Sequence, residues 1–418
     1  MINNQKIKVT FFCGSLNIGG TERNVVNILK NINREKFEPK LCCLFSGGSY
    51  EQEVKDLRIT TLIFNHMRLY DLGVYFKVIK FFRGSDILHC FGYPPIYFGI
   101  FLGRLAGAKK IIVAVQDRDV WKKWRHILLD KLIRPFVDLY IADGKGARKF
   151  AITKQAIASE KIITIYDGAD IDAFKFKKTK DKIRTEFGIS KIVPVIGVIC
   201  RLDDKKKGVS YFIKAAPFIL KNYPDAMFLI VGDGKDRQDL EELSFKHNIA
   251  NKIIFAGFRK DVIEVLNAID ILVIPSIWES VPKILIDAMA LGKTIVSTNV
   301  GDIPELLTNN KTGVLIMPGD QKEIAEAVIS LLKNETKAVE LKKEAIKEVE
   351  KKGLSLKKSM EFLKDKYIEI YYTNISPYKR FQRYLYFAPL FPIVALSFFV
   401  QLSAEKALKS LVFTTFNK

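Results

Sequence analysis

PSIWESVPKILIDAMALG, residues 275–292, decides how the rest of this 418-residue chain is read. The ILVIPS run leading into it has the continuous apolar character of a buried strand. From Pro282 onward Ile284, Leu285, Ala288 and Leu291 recur at helical spacing, and Gly292 supplies a stop. The stretch is therefore a strand, a short loop and a helix N-terminus. Glu279 falls in the loop, and Asp287 stands one turn beyond Lys283. Unpaired amides at a helix start favour an anion, and acidic side chains beside them can hold sugar hydroxyls. An ordinary strand-to-helix turn with a solvated acid gives the same pattern, so the residues alone leave both readings open.

Composition bounds the rest. The length suits two core-bearing domains plus an appendage, and 48% hydrophobic with 27% charged residues excludes a disordered chain. Five cysteines (Cys13, Cys42, Cys43, Cys90 and Cys200) lack zinc-like spacing and sit mostly in apolar runs, as reduced core residues of a cytosolic protein would. The opening MINNQKIKVTFF runs straight into a strand pattern, which predicts no signal peptide. The net charge of +21 asks for a partner. No zinc finger, RNP-like or helix-turn-helix pattern supports nucleic acid. An anionic membrane surface fits better, with a solvated lysine-rich surface as the plainer alternative.

Residues 6–13 read as the first buried strand, leading to GSLNIGGTERNVVNILKNI, where Val25, Ile28, Leu29 and Ile32 share a helical face. Gly19 and Gly20 thus occupy a strand-to-helix turn in which backbone can approach a ligand. This is not the dinucleotide G-x-G-x-x-G. EPKLCCLF, ITTLIF, DILHC, KKIIVAV, VDLYIA and KIITIY follow as strands separated by helical runs. Such alternation predicts βαβ units and a parallel sheet covered on both faces, with ligands at the strand carboxyl ends. His89, Gln116 and Asp143 stand at such ends; each is a cleft candidate or simply a satisfied polar terminus. In DVWKKWRHILLDKLIRPF, Trp121, Trp124 and Leu128 can share a face, giving either an interfacial membrane helix or a core-packed one.

A second α/β half opens with IVPVIGVICRLDDKKKGVSYFIKAA. Residues 192–200 read as its first strand, and Val209, Phe212, Ile213 and Ala216 form the buried face of the next helix. Arg201 and Lys207 border the loop between them. A guanidinium fork and an ammonium beside one loop can hold an anionic group, although lysines beside a loop are more often simply solvated.

These elements resemble glycosyltransferase family 4, the group 1 retaining glycosyltransferases of the GT-B fold. The resemblance covers nearly all of residues 6–372 and is most specific over 195–320. ESVPKILIDAMA is similar to the family's glutamate-x7-glutamate motif, with Asp287 one methylene short of the second glutamate. Arg201 and Lys207-Gly208 match its R-x5-K-G element, IGGTER its glycine loop, and YDGADIDAF its NG-(V/I)-D…F segment with Asp167 in place of asparagine. The resemblance implies an α/β fold of two Rossmann-like domains facing a cleft. It implies that Arg201, Lys207 and Glu279 are catalytic. Gly19, Gly20, Gly257, Phe258, Lys283, Ile284 and Asp287 would bind a nucleoside-diphosphate sugar, Asp287 through the ribose and Gly257 and Phe258 at the base. Gln116, replacing the family's cleft histidine, and Arg118 would lie on the acceptor side, where the strand-end candidate His89 is also expected. Neither a metal nor a further cofactor is required on this account.

The expected division is an acceptor domain over 1–175, a nucleotide-sugar domain over 185–353, a crossover helix over 354–372 and a membrane-associating tail over 373–418. In that tail residues 384–402, YLYFAPLFPIVALSFFVQL, just reach the length of a membrane span but contain Pro389 and Pro392. A kinked segment lying in one leaflet is favoured over a span, with packing on the first domain as the alternative. The combined expectation is a glycosyltransferase at the cytoplasmic face of a membrane, acting on a glycan or lipid-linked acceptor in cell-surface polysaccharide or glycolipid synthesis. A non-catalytic GT-B scaffold and a sugar-nucleotide epimerase are the competing readings.

Overall fold

A computed structural model of the chain describes residues 5–17, 19–64, 72–116, 124–171 and 180–373. Arg118, Trp121, the 172–179 linker and the tail from 374 onward lie outside the described residues.

Two parallel sheets account for the architecture. The first contains β1 (Ile7–Ser15), β2 (Phe37–Ser46), β3 (Thr60–Ile63), β4 (Ile87–Cys90), β5 (Lys110–Val115), β6 (Leu139–Ala142) and β7 (Ile162–Thr164), in the order β3-β2-β1-β4-β5-β6-β7. The second contains β8 (Val195–Ile199), β9 (Met227–Val231), β10 (Ile253–Phe255), β11 (Ile271–Ile274), β12 (Thr294–Thr298) and β13 (Val314–Ile316), in the order β10-β9-β8-β11-β12-β13. Strand order reverses at β1/β4 and at β8/β11, and the crevice outside such a reversal is where this architecture binds ligands. Successive side chains on a strand point to opposite faces, so Phe11 and Phe12 serve different cores. Phe12 packs with Val78, Phe82 and Ile100, whereas Phe11 joins Val25, Leu29 and Phe37.

One boundary departs from the apolar run. β8 begins at Val195, and Ile192 is 92% exposed. Proline lacks the N–H that a ladder needs, and Pro194 enters the sheet only through its carbonyl, which accepts from Met227 N at 2.9 Å.

The helix Leu356–Tyr372 returns to the first domain. Ser355 caps it by accepting from Lys358 N, and Ala169 pins its start, donating to Leu354 O and accepting from Leu356 N. Leu363 and Tyr367 then enter the core beside Phe11 and Phe37. A second tie joins the domains: the buried Asp302 carboxylate accepts from Gly146 N at 2.8 Å and Ala147 N at 3.3 Å. An anion at this helix start offsets its unpaired amides and dipole. Gly144 makes room for it, because a Cβ there would collide with the same carboxylate.

His89, expected on the acceptor side, is placed otherwise. It is buried among Phe11, Phe91 and Tyr367, with Nδ1 hydrogen-bonded to the Tyr367 hydroxyl at 2.7 Å. The strand end carries it under the crossover helix, and burial pulls its pKa down to about 3. The unfolded chain therefore binds a proton near pH 6.5 that the folded chain refuses. The stability this neutral imidazole supports is complete above pH 6.5 and is lost as pH falls towards 3. Denaturant titrations of wild type and His89→Gln at pH 7 and pH 5 should show their stability difference moving by about 2 kcal/mol against the wild type at the lower pH; parallel curves would refute the assignment.

Candidate active site

The second-domain wall is built from backbone constraints around Lys207. After β8 the chain makes the short helix Asp204–Lys207, then Gly208 at φ +61°, then the helix Val209–Leu220. Glycine is required at this turn, both for its left-handed backbone and because a Cβ would strike the Pro275 carbonyl oxygen. The Asp204 carboxylate accepts from Ser210 N at 2.7 Å, and Asp236 accepts from Asp204 N at 2.7 Å. The Lys206 carbonyl accepts from both Ile277 N at 2.9 Å and Trp278 N at 3.1 Å. This docks the two loops together and brings the Lys207 ammonium onto Glu279 Oε1, which also accepts from Ser276 Oγ at 2.9 Å.

Gly301 holds the other side of the Glu279 loop, since at φ +59° a Cβ would meet the Glu279 carbonyl. Pro282 then caps the helix Lys283–Ala290 without offering a side-chain oxygen to its first amides. Lys283 Nζ donates to Asp287 Oδ1 at 2.9 Å and to the Gly168 carbonyl at 2.8 Å, linking this helix to the segment that closes the first domain. The second oxygen of Asp287 is buried with no hydrogen-bond partner among the described residues. A buried acceptor without a donor is costly, and the bordering space would let ligand hydroxyls supply one. Asp167 lies nearby with its pKa pushed up to about 6, chiefly by burial and further by Asp287, while Lys283 opposes the shift.

Opposite stands the start of the helix Gly20–Asn31. Gly19 offers no capping side chain, and a Cβ at Gly20 would meet nothing within 4 Å, so this backbone faces open space. Glu22 lies in the first turn; burial pushes its carboxyl up, and Arg201 across the cleft opposes this.

Among the described residues, two large chambers open onto the cleft. One, of about 760 Å³, is bordered by Gly19, Phe258, Ile284 and Asp287. The other, of about 420 Å³, extends into the first domain past Gln116, Tyr97 and Asp130. They meet at Gly20 and Thr21 of the first domain and at Arg201, Lys207, Glu279 and Lys283 of the second. Gly257 borders neither chamber. Its φ of +64° makes a turn whose carbonyl accepts from Gly232 N at 2.8 Å, leaving Phe258 to face the space. Gln116 borders the second chamber with a buried Oε1 that has no partner among the described residues, and Arg118 lies outside them. Sequence reasoning missed Glu22, Asp130, Asp204, Ser276 and Asp302. Only Ser276 carried a local signal, three residues before Glu279.

Two facing parallel-sheet domains with this cleft define the GT-B class. Residues 18–173 match the model of Glycosyltransferase Family 4, and residues 179–348 that of Glycosyl transferases group 1. The chain belongs to the group 1 glycosyltransferases of family 4. It is 24% identical over 372 residues to the UDP-Gal:alpha-D-GlcNAc-diphosphoundecaprenol alpha-1,3-galactosyltransferase of Escherichia coli, covering 84% of this chain and 94% of that relative. It is 28% identical over 274 residues to the N-acetyl-alpha-D-glucosaminyl L-malate synthase of Bacillus anthracis, covering 64% of this chain and 71% of the relative. Its fold is similar to that of Anabaena Alr3699/HepE in complex with UDP-glucose, with a TM-score of 0.77 at 20% identity, covering 87% of this chain and 100% of the other.

Because Gly208 sets the Lys207 position, Gly208→Ala should lose about 2 kcal/mol of stability from the left-handed backbone and the Pro275 contact. It should also displace the ammonium. Chemical denaturation and a transfer assay on the same preparation check both effects, and unchanged stability would refute the steric argument.

Proposed function

We propose that this glycosyltransferase moves a sugar, with retention of anomeric configuration, from a nucleoside-diphosphate sugar to a glycan or lipid-linked acceptor. The observation that carries the reading is the meeting of both chambers at Arg201, Lys207, Glu279 and Lys283. The larger chamber would take the nucleotide, with Asp287 receiving the ribose hydroxyls. As the anomeric C–O bond breaks, Arg201 and Lys207 stabilise negative charge on the departing diphosphate, assisted by the Lys283 and Ile284 amides. Glu279 would hold the donor sugar hydroxyls beside the reacting carbon. The acceptor hydroxyl enters from the adjoining chamber, beside the wall that holds the leaving group. Its new bond would therefore form on the face from which the diphosphate departs, and its proton would pass to a diphosphate oxygen.

Two fixed cations serve in this scheme where other transferases use a metal. Purified protein mixed with a panel of nucleotide sugars, with and without lipid extract, should release nucleoside diphosphate in an acceptor-dependent manner. Arg201→Ala and Lys207→Ala should each slow transfer about 10²-fold or more, and wild-type turnover should persist in EDTA. Full activity in both variants rejects the cation assignment, and loss of activity in EDTA rejects the metal-independent scheme.

A lipid-linked acceptor in cell-surface polysaccharide or glycolipid synthesis accords with the acceptor named for the E. coli relative. Among the described residues no helix is long and apolar enough to cross a membrane. The net charge of +21 and the apolar stretch 384–402, which lies outside those residues, favour attachment to an anionic cytoplasmic leaflet. A salt wash of membranes should leave the full chain bound and detergent should release it; complete recovery in salt alone would count against insertion.

A further inference from the structure

Asp167 stands where the family's NG-(V/I)-D…F segment has asparagine, and the backbone is fixed on either side of it. Before it, the Tyr166 carbonyl accepts from Ser359 Oγ at 2.9 Å and the Tyr166 hydroxyl donates to Glu305 Oε2 at 3.0 Å. After it, the Gly168 carbonyl accepts from Lys283 Nζ at 2.8 Å, and Ala169 is bonded through its backbone to Leu354 and Leu356. Gly168 is wedged against the start of the crossover helix, since a Cβ there would lie 2.2 Å from the Ser355 carbonyl carbon. The Asp167 carboxylate takes no part in these ties. Among the described residues it makes no hydrogen bond and no ion pair, and feels Lys283, Asp287 and Arg23 only through their charge. A side chain left unengaged on a backbone tied at both neighbours is held ready for a ligand.

Asp167 borders the smaller chamber, which extends into the first domain, and not the larger one. It therefore lies on the acceptor side of the junction. Arg23 on the helix Gly20–Asn31 and Lys283 on the helix Lys283–Ala290 favour its charged form, and Asp287 opposes it. Asp143, Arg201, Lys207 and Glu279 border the same chamber. With its pKa pushed up to about 6, chiefly by burial, the carboxyl is largely ionised at neutral pH. An ionised carboxylate only accepts hydrogen bonds, whereas an asparagine amide also donates. Bonds to the charged group are the stronger ones, so hydroxyl donors are favoured. In the transfer step proposed above, the attacking hydroxyl gives its proton to a diphosphate oxygen. A different hydroxyl of the acceptor is then left for Asp167. We propose that Asp167 is a specificity-determining residue that binds a non-reacting hydroxyl of the acceptor sugar and thereby presents the attacking hydroxyl to the junction. This inference rests on the glycosyltransferase reading.

The test is equilibrium binding of the p-nitrophenyl glycosides of glucose, galactose and N-acetylglucosamine to the full chain, followed by ligand-observed NMR. The tightest of them should bind about fivefold or more weakly to Asp167→Ala than to wild type. Of its monodeoxy analogues, one should bind both forms equally, because the hydroxyl that Asp167 holds is the one missing. Wild-type affinity should fall by a similar factor between pH 8 and pH 5, with a midpoint near 6, as the carboxylate takes up its proton. Asp167→Asn, which keeps the side chain's shape, should remove that midpoint. Uridine diphosphate affinity should change less than about twofold in either variant, since Asp167 does not border the larger chamber. Unchanged glycoside affinity in a folded Asp167→Ala, a loss confined to uridine diphosphate, or no binding by any glycoside would overturn the inference. So would a wild-type profile that is flat from pH 5 to pH 8, a measurement that needs no variant to fold. Failure of the underlying reading would show separately, as absence of nucleoside diphosphate release from the donor panel.

Discussion

Both loops of the candidate site depend on the carbonyl oxygen of Lys206. By accepting from Ile277 N and Trp278 N it joins the loop after β8 to the loop after β11, the strands that flank the reversal of the second sheet. Lys207 and Glu279, 72 residues apart in sequence, meet because their backbones are already docked. The close approach in turn requires Gly208, whose missing side chain admits the Pro275 carbonyl. The ion pair is thus a product of backbone geometry. Partial burial makes it expensive to leave either partner alone, and Ser276 supplies Glu279 with a further donor.

Much of this was legible in the chain because the relevant signals are local. Continuous apolar runs marked the parallel strands, and Arg201, Lys207 and Glu279 each sit just beyond a strand's carboxyl end. Pro282 and Gly292 bracketed the helix that carries Lys283 and Asp287. What escaped has a common physical cause. Asp302 acts on a helix start about 155 residues away, Asp236 holds the Asp204 amide, and Glu22 faces Arg201 only after two domains come together. His89 shows what position alone leaves open: a strand end suited either a cleft residue or a satisfied polar terminus, and its hydrogen bond to Tyr367 of the crossover helix favours the second. Gly257 likewise sat at a suggestive place yet spends its left-handed conformation on a turn.

The cleft is held from both sides as well as lined from both sides. Asp302 on the Gly146 and Ala147 amides, Ser280 on Asp143 and Lys283 on the Gly168 carbonyl all cross between the domains. Hydrogen bonds to an ionised group are worth about 1.5–3 kcal/mol each, so these contacts together favour the closed arrangement of the domains. Ser280 and Lys283 adjoin Glu279, so any opening of the domains also loosens the wall where the two chambers meet.

The helix Leu356–Tyr372 completes a core that the first strands began. Phe11, Phe37 and Leu41 lie against Leu363 and Tyr367, residues that leave the ribosome only after the whole second domain has emerged. The first domain must therefore wait, with an apolar face uncovered, while the later half of the chain is synthesised and folds. Nascent-chain handling is built into this topology: the amino-terminal lobe finishes last although it is translated first, and a chain ending at residue 353 would leave the ribosome with that face still bare.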